Sequence, residues 1–478
     1  MSAFAIGLMS GTSCDGISAA LVKIDKQLLE ATHTTNSIVR TTIGDRERPV
    51  YHHVRRRHAL PIHVVAELTI PYPHRLAERL RQSSTLRTAE ISSLHMELGE
   101  RFARTVQQLL QRAHIPPNRV DVIGSHGHTI YHGPRDATPS TFQIGEAATI
   151  SHRTGIPVVS NFRPRDIVAG GEGAPLVPYF DEVVFGDGPV RALQNIGGIA
   201  NVTVVGQGVH PQAFDTGPGN CLIDLVVSQM SHGRLHYDAE GRLARRGRIL
   251  LQPLKRLWSH AYFRQPPPKS TGRELFNEML LRQVFGVELT RSPYDVLATV
   301  TYFTAYSIAH SLRRFTPRPL EEMIVSGGGV YNRTLTHHLE MLLSPIPVRS
   351  IEAYGIPAQA KECAAFALLA LRAAHGRINH LPATTGARTA CILGQWTPAT
   401  PGRTTQVDGP RRAHNSSRQL HLLRRTTTRR TPRTEARFLR RNGETHRVTE
   451  RNNLRMARAR RYGSIELDAR KSHRKRGE

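Results

Sequence analysis

A chain of 478 residues is long enough for two domains with separate cores and too long for a single small one. Hydrophobic residues make up 39% and the formal charge is +27; residues 401–478 alone carry 23 Lys and Arg against 7 Asp and Glu, so +16 belongs to the tail. The four cysteines, Cys14, Cys221, Cys363 and Cys391, stand far apart, which argues against a disulfide framework or a zinc site and points to a reducing, cytoplasmic setting.

Residues 4–9 form an apolar run, residues 10–16 a turn rich in Gly, Ser and Thr, and residues 17–24 a second apolar run, the pattern of an antiparallel hairpin. The N-terminus reads as a buried strand rather than a signal peptide, because its apolar stretch leads directly into that turn. A helix is predicted over residues 96–112, with strands at 120–123 and 157–159. The hairpin form recurs at residues 192–196 and 202–205 around a turn at 197–201, which suggests two similar halves. Ile223, Val226, Val227 and Met230 are spaced i, i+3, i+4, i+7 and predict a helix ending near Gly233. Residues 323–325 lead into Gly327, Gly328 and Gly329, followed by a helix with Leu335, Leu339 and Leu342 on one face. Cys363, Phe366, Ala367 and Ala370 repeat the helical spacing before Gly376. The most apolar helical stretch, 363–371, is too short for the roughly 20 residues of a membrane span. Beyond about Trp396 the chain is rich in Arg and Thr without apolar periodicity, and a disordered tail is expected.

Three segments carry candidate chemistry. In Gly11, Thr12, Ser13, Cys14, Asp15 and Gly16, a strand opens into a turn whose N–H and hydroxyl groups can cradle phosphate, with Asp15 suited to an outer-shell role toward hydrated Mg²⁺. An Asp-Gly hairpin turn with no ligand is the alternative reading. Asp215, after Ala213 and Phe214 and before Gly217 and Gly219, is suited to general-base work, or to capping the helix that follows. Gly327, Gly328, Gly329 and Asn332 allow a nucleotide to approach the backbone at a helix N-terminus. No GxxxxGK[ST] segment is present, which removes a P-loop.

The order of these elements resembles the sugar kinase, heat-shock chaperone and actin superfamily. At finer grain the chain is similar to anhydro-N-acetylmuramic acid kinases, through GLMSGTSCDG from Gly7, IGSHGHTI from Ile123, FQIGEAA from Phe142, GGEGAPLVP from Gly170, NIGGIANV from Asn195, FDTGPGN from Phe214, SGGGVYN from Ser326, AQAKECAAFALLA from Ala358 and LPATTGA from Leu381. The resemblance spans about residues 4–396. It implies an α/β fold of two actin-like, ribonuclease H-like domains enclosing ATP and sugar: residues 1–188 on the sugar and phosphate side, 189–397 with the nucleotide side and catalytic base, then the basic tail from 398. It places ATP phosphates on residues Gly11 to Ser18, Ile17 included, the base at Asp215, and the nucleotide at Gly327, Gly328, Gly329 and Asn332. His126, Gly127, Arg163, Asp166 and Glu172 fall in its sugar-side segments. The implied reaction, with ATP and Mg²⁺, opens the internal ring of 1,6-anhydro-N-acetylmuramic acid and gives N-acetylmuramic acid 6-phosphate, in peptidoglycan recycling and amino-sugar catabolism. A homodimer is implied as well.

Ser18 and Asn161 stand where such kinases usually carry Asp, and His128 where they carry Gln. The tail has no counterpart among them. The alternatives are a kinase for another amino sugar, and an impaired member that binds nucleic acid through residues 401–478.

Overall fold

The computed structural model describes residues 2–11, 14–30, 60–316 and 318–399; Thr12, Ser13 and the tail assigned to nucleic acid binding and disorder lie outside them, apart from residues 398 and 399. The first sheet contains β1 (Ser2–Ser10), β2 (Gly16–Asp25), β3 (Ile62–Pro71), β4 (Val122–Gly133), β5 (Ser140–Ile144) and β6 (Val158–Ser160). The second contains β7 (Arg191–Ile196), β8 (Ile199–Val205), β9 (Gln212–Pro218), β10 (Glu322–Ser326) and β11 (Val348–Ser350). A last strand, β12 (Gln395–Thr397), returns to the edge of the first sheet beside β6.

The two sheets are built alike. Their orders are β12-β6-β4-β1-β2-β3, with β5 on β4, and β11-β10-β7-β8-β9. In each, an antiparallel hairpin is extended by a third antiparallel strand, while two later strands add in parallel on the other side. This repeated mixed α/β arrangement is the actin-like one. Both predicted hairpins are present, each a little longer than its apolar run. β4 differs most from expectation: it runs to Gly133, because Ser125, His126 and His128 continue the pairing although their polarity hides the strand.

The Thr88–Ala113 helix covers one face of the first sheet with Leu94, Leu98, Phe102 and Val106, an i+4 stripe of fully buried side chains. The Pro293–Phe315 and Arg333–Leu343 helices cover the second sheet. Between the halves lies the Lys361–Ala374 helix, buried on nearly every side and packed with Ala5 and Val22 of the first sheet and Leu193 and Ile324 of the second. Its approach requires glycine beneath it, since a Cβ at Gly7 would lie 1.7 Å from the Cys363 carbonyl and one at Gly124 2.1 Å from that of Phe366.

That helix departs from the expected continuous domain over 189–397. Lys361–Ala374 and β12 pack on the first sheet, so the chain crosses back after forming the second. An ion pair pins the crossing: Lys361 Nζ lies 2.8 Å from Asp181 Oδ1, on the Pro178–Phe185 helix that links the sheets, with both groups buried. Among the described residues no helix is long and apolar enough to cross a membrane. None of the four cysteines is in a disulfide among the described residues.

Candidate active site

The first hairpin's turn begins at Gly11, whose carbonyl accepts the Cys14 N–H at 3.1 Å. Cys14 is buried with φ +57°, and Asp15 beyond it is exposed. His128, on β4, closes the turn from below: Nδ1 lies 2.9 Å from Ser10 Oγ and Nε2 3.9 Å from Cys14 Sγ, while Ser10 Oγ also meets the Tyr72 hydroxyl at 2.8 Å. Burial pushes His128 down to about 4, so a neutral ring does this work at pH 7. Gly16, Ile17 and Ser18 already belong to β2. The Ile17 side chain is in the core, and the Ser18 hydroxyl is 2.9 Å from that of Thr69. Asn161, with φ +51°, donates to Gln395 at 2.9 Å.

Asp215 lies within β9 and caps no helix; Asn220 stands at the start of the Cys221–Met230 helix instead. Its backbone N–H donates to the Lys269 carbonyl at 3.1 Å and its carbonyl accepts the Tyr262 hydroxyl at 2.6 Å. Oδ2 accepts the Thr271 N–H at 2.8 Å; Oδ1 has no partner among the described residues. Burial raises this carboxyl from 3.8 to about 6, with Glu274 adding to the rise and the Thr271 N–H and Lys269 opposing it. Lys269 itself is brought down to about 8, chiefly by burial and then by Arg314, against the pull of Asp215. A partly ionised carboxylate with one oxygen fixed and one free is the geometry of a general base.

The glycine loop rests on the second hairpin. Gly327 has φ +82°, and a Cβ there would stand 2.6 Å from Asn195 Oδ1. Gly328 and Gly329 begin a short turn of helix, and Asn332 caps the next helix by accepting the Leu335 N–H at 3.0 Å. The Asn332 side chain is therefore committed to the backbone.

Of the residues that the resemblance assigns to the sugar side, His126, Gly127, Arg163 and Asp166 are linked by hydrogen bonds through Gly173, and Glu172 is not. His126 donates from Nδ1 to the Gly127 carbonyl at 3.0 Å, which leaves Nε2 to accept from Arg163 Nε at 3.0 Å. Arg163 also donates to the Gly173 carbonyl at 2.6 Å. Burial holds His126 well below its ordinary value and lowers Arg163 to about 10. Asp166 is fully buried: Oδ1 takes His380 Nε2 and the Thr385 hydroxyl, and Oδ2 the Gly173 N–H at 2.5 Å. Asp166 thus holds the Gly173 turn in place, with both oxygens already accepting hydrogen bonds. Glu172 points aside to Arg135, 2.6 Å away. Glu362, whose carboxyl is raised by burial and opposed by Lys361 and Arg163, joins this side from the Lys361–Ala374 helix.

With that geometry in view, a family model described as anhydro-N-acetylmuramic acid kinase matches residues 51–399. The chain belongs to this family. An anhydro-N-acetylmuramic acid kinase of Caldanaerobacter subterraneus subsp. tengcongensis is 37% identical over 409 residues, covering 82% of this chain and 96% of the relative. One of Bacillus cereus is 36% identical over 408 residues, covering 82% and 98%. Solved structures are more distant: component A of an Acidaminococcus fermentans (R)-2-hydroxyglutaryl-CoA dehydratase is 10% identical over 77% of this chain and 97% of its own, with a TM-score of 0.40.

Two further features bear on this member of the kinase family. A cavity of about 520 Å³ lies beside the Arg333–Leu343 helix, lined by Arg242, Ala298, Arg333, Thr334 and His338. His338 Nδ1 is buried without a hydrogen-bond partner among the described residues. Asp224, in the first turn of the Cys221–Met230 helix, is raised to about 7 by burial, with Arg273 opposing and Asp15 adding to the rise. Asp15, in the first hairpin's turn, is thus near enough to Asp224 for its charge to be felt there. Among the described residues no three metal-ligating side chains cluster. Two carboxylates without a closed cage fit a hydrated Mg²⁺ held through water and phosphate. Lys269, Thr271, Arg273, Asp224 and His380 are not singled out by the sequence: the first three share the string KSTGRE, Asp224 sits in the Cys221–Met230 helix and His380 in no regular element, while Glu362 lies in the AQAKECAAFALLA string without a role of its own.

Proposed function

We propose that this chain phosphorylates 1,6-anhydro-N-acetylmuramic acid from ATP while water opens the anhydro ring, giving N-acetylmuramic acid 6-phosphate and ADP in peptidoglycan recycling. The observation that carries the reading is Asp215, a half-buried carboxylate with one oxygen fixed by Thr271 N–H and the other unengaged, in a member of this kinase family. Asp215 takes a proton from water as its oxygen bonds to the anomeric carbon. The bond from that carbon to the 6-oxygen breaks, and the 6-oxygen bonds to the γ-phosphorus as the bond to ADP breaks. Phosphoryl capture does what a second carboxylic acid does in an ordinary glycosidase, neutralising the leaving oxygen.

The turn at Gly11 to Gly16 and the hairpin at Gly197 and Gly198 receive the phosphates, and Gly327 to Gly329 pass the nucleoside into the 520 Å³ cavity. Asp15 and Asp224 would hold a hydrated Mg²⁺, which would supply charge neutralisation at the phosphates. The Arg163, His126 and Gly173 network shapes the sugar side. On this reading the nucleotide half comes from residues 189–360, and both sheets bound the cleft.

The test is product analysis by mass spectrometry after incubation with the anhydro sugar, Mg-ATP and heavy-oxygen water. The expected product is ring-opened, phosphorylated and labelled at its anomeric oxygen; ATP binding without sugar conversion defeats the activity. Filling the cavity with Ala298→Trp is expected to raise the KM for ATP by about tenfold or more and leave that for the sugar within about twofold. Initial-rate kinetics with each substrate varied would check it.

A further inference from the structure

One loop, residues 269–274, reaches both the base and the phosphate hairpins. Thr271 in this loop gives its N–H to Asp215 at 2.8 Å. Two residues on, the Arg273 guanidinium lies over the second hairpin: a Cβ at Gly198 would stand 3.3 Å from its Nη2 and 3.6 Å from its Nε. Its charge also acts on Cys14 in the first hairpin's turn and on Cys221 and Asp224 in the helix following the second. Arg273 therefore lies over the second hairpin's turn, with its charge felt at the first. It is exposed, and it makes no hydrogen bond or ion pair among the described residues. Other arginines of this half, such as Arg191, Arg242 and Arg282, are paired with carboxylates.

We propose that Arg273 is a catalytic residue that grips the phosphoryl group during transfer, and that its loop couples this grip to the placement of Asp215. The assignment rests on the kinase reading above. A transferring phosphoryl group spreads negative charge over three equatorial oxygens, and a guanidinium presents two parallel donors matched to two of them. Arg273 exchanges no proton; it holds those oxygens as the phosphorus leaves ADP and bonds to the 6-oxygen. Because Thr271 and Arg273 belong to one short loop, seating the phosphoryl group also fixes the N–H that orients the base.

The test compares wild type, Arg273→Ala and Arg273→Lys in sugar-kinase kinetics and in binding of ADP with and without fluoroaluminate, a planar stand-in for the phosphoryl group. Arg273→Ala is expected to lower kcat on the order of 100-fold while ADP affinity holds, and to lose a similar factor for ADP-fluoroaluminate. Arg273→Lys should recover part of the loss, since it restores charge without the fork. A kcat within about twofold of wild type, or equal losses for ADP with and without fluoroaluminate, would overturn the assignment. Arg273-dependent fluoroaluminate binding in a protein that converts no anhydro sugar would uphold Arg273 and defeat the proposed substrate.

Discussion

Asp215→Asn is expected to lower kcat for the anhydro sugar by about 100- to 10,000-fold while ATP binding persists, because the variant keeps an acceptor for the Thr271 N–H but cannot take a proton. The pH profile carries a second signature. The base works only when ionised, and with its carboxyl at about 6 the wild-type rate falls as pH drops through that value; the residual rate of the variant lacks this limb. Stability responds in the opposite sense. The folded protein holds the Asp215 proton more tightly than the unfolded chain, so this group favours folding below about 3.8, and that contribution disappears as pH rises through about 6. At pH 8 the Asn variant should be the more stable, by at most about 3 kcal/mol, with the gap closing as pH falls from 6 toward 4. Urea titrations at pH 5 and pH 8 measure this. A variant no more stable at pH 8 would mean that Asp215 is not desolvated as the fold implies.

Lys361→Met is expected to cost about 3–5 kcal/mol of stability, since it leaves Asp181 buried without its cation at the crossing between the sheets. The double variant Asp181→Leu with Lys361→Met should regain most of the loss, because both charges are then gone from the interior. The single variant's deficit should also shrink in acid. Burial already raises the Asp181 carboxyl against the pull of Lys361, and removing that pull raises it further, so protonation relieves the penalty as pH falls. Denaturant midpoints for the three proteins decide it. A deficit below about 1 kcal/mol would show that apolar packing alone ties the crossing helix down.

Much of this architecture was legible in the chain before any coordinates. The two hairpins follow from apolar runs joined by polar turns, and the Cys221–Met230, Arg333–Leu343 and buried Lys361–Ala374 helices from apolar residues on one helical face. β4 was underread because Ser125, His126 and His128 pair and bury without an apolar signature. Asp215 could be singled out, yet its capping alternative was removed only by finding it inside β9. Asp166 was grouped with the sugar-side residues by its neighbours in sequence. Its partners at Oδ1 are His380 and Thr385, more than 200 residues away, while Gly173 N–H takes Oδ2.

The sequence by itself determined the local elements, the paired hairpins and the family, because those depend on residues a few positions apart and on strings that persist intact. Tertiary structure alone decided that Thr271, 56 residues beyond Asp215, fixes one oxygen of that carboxylate, and that Arg273 lies over Gly198. It also decided that residues 361–397 return to the first sheet. The physical reason is that a carboxyl's proton affinity and a guanidinium's reach are set by which remote segments exclude water and which supply partners, and no local spacing encodes either.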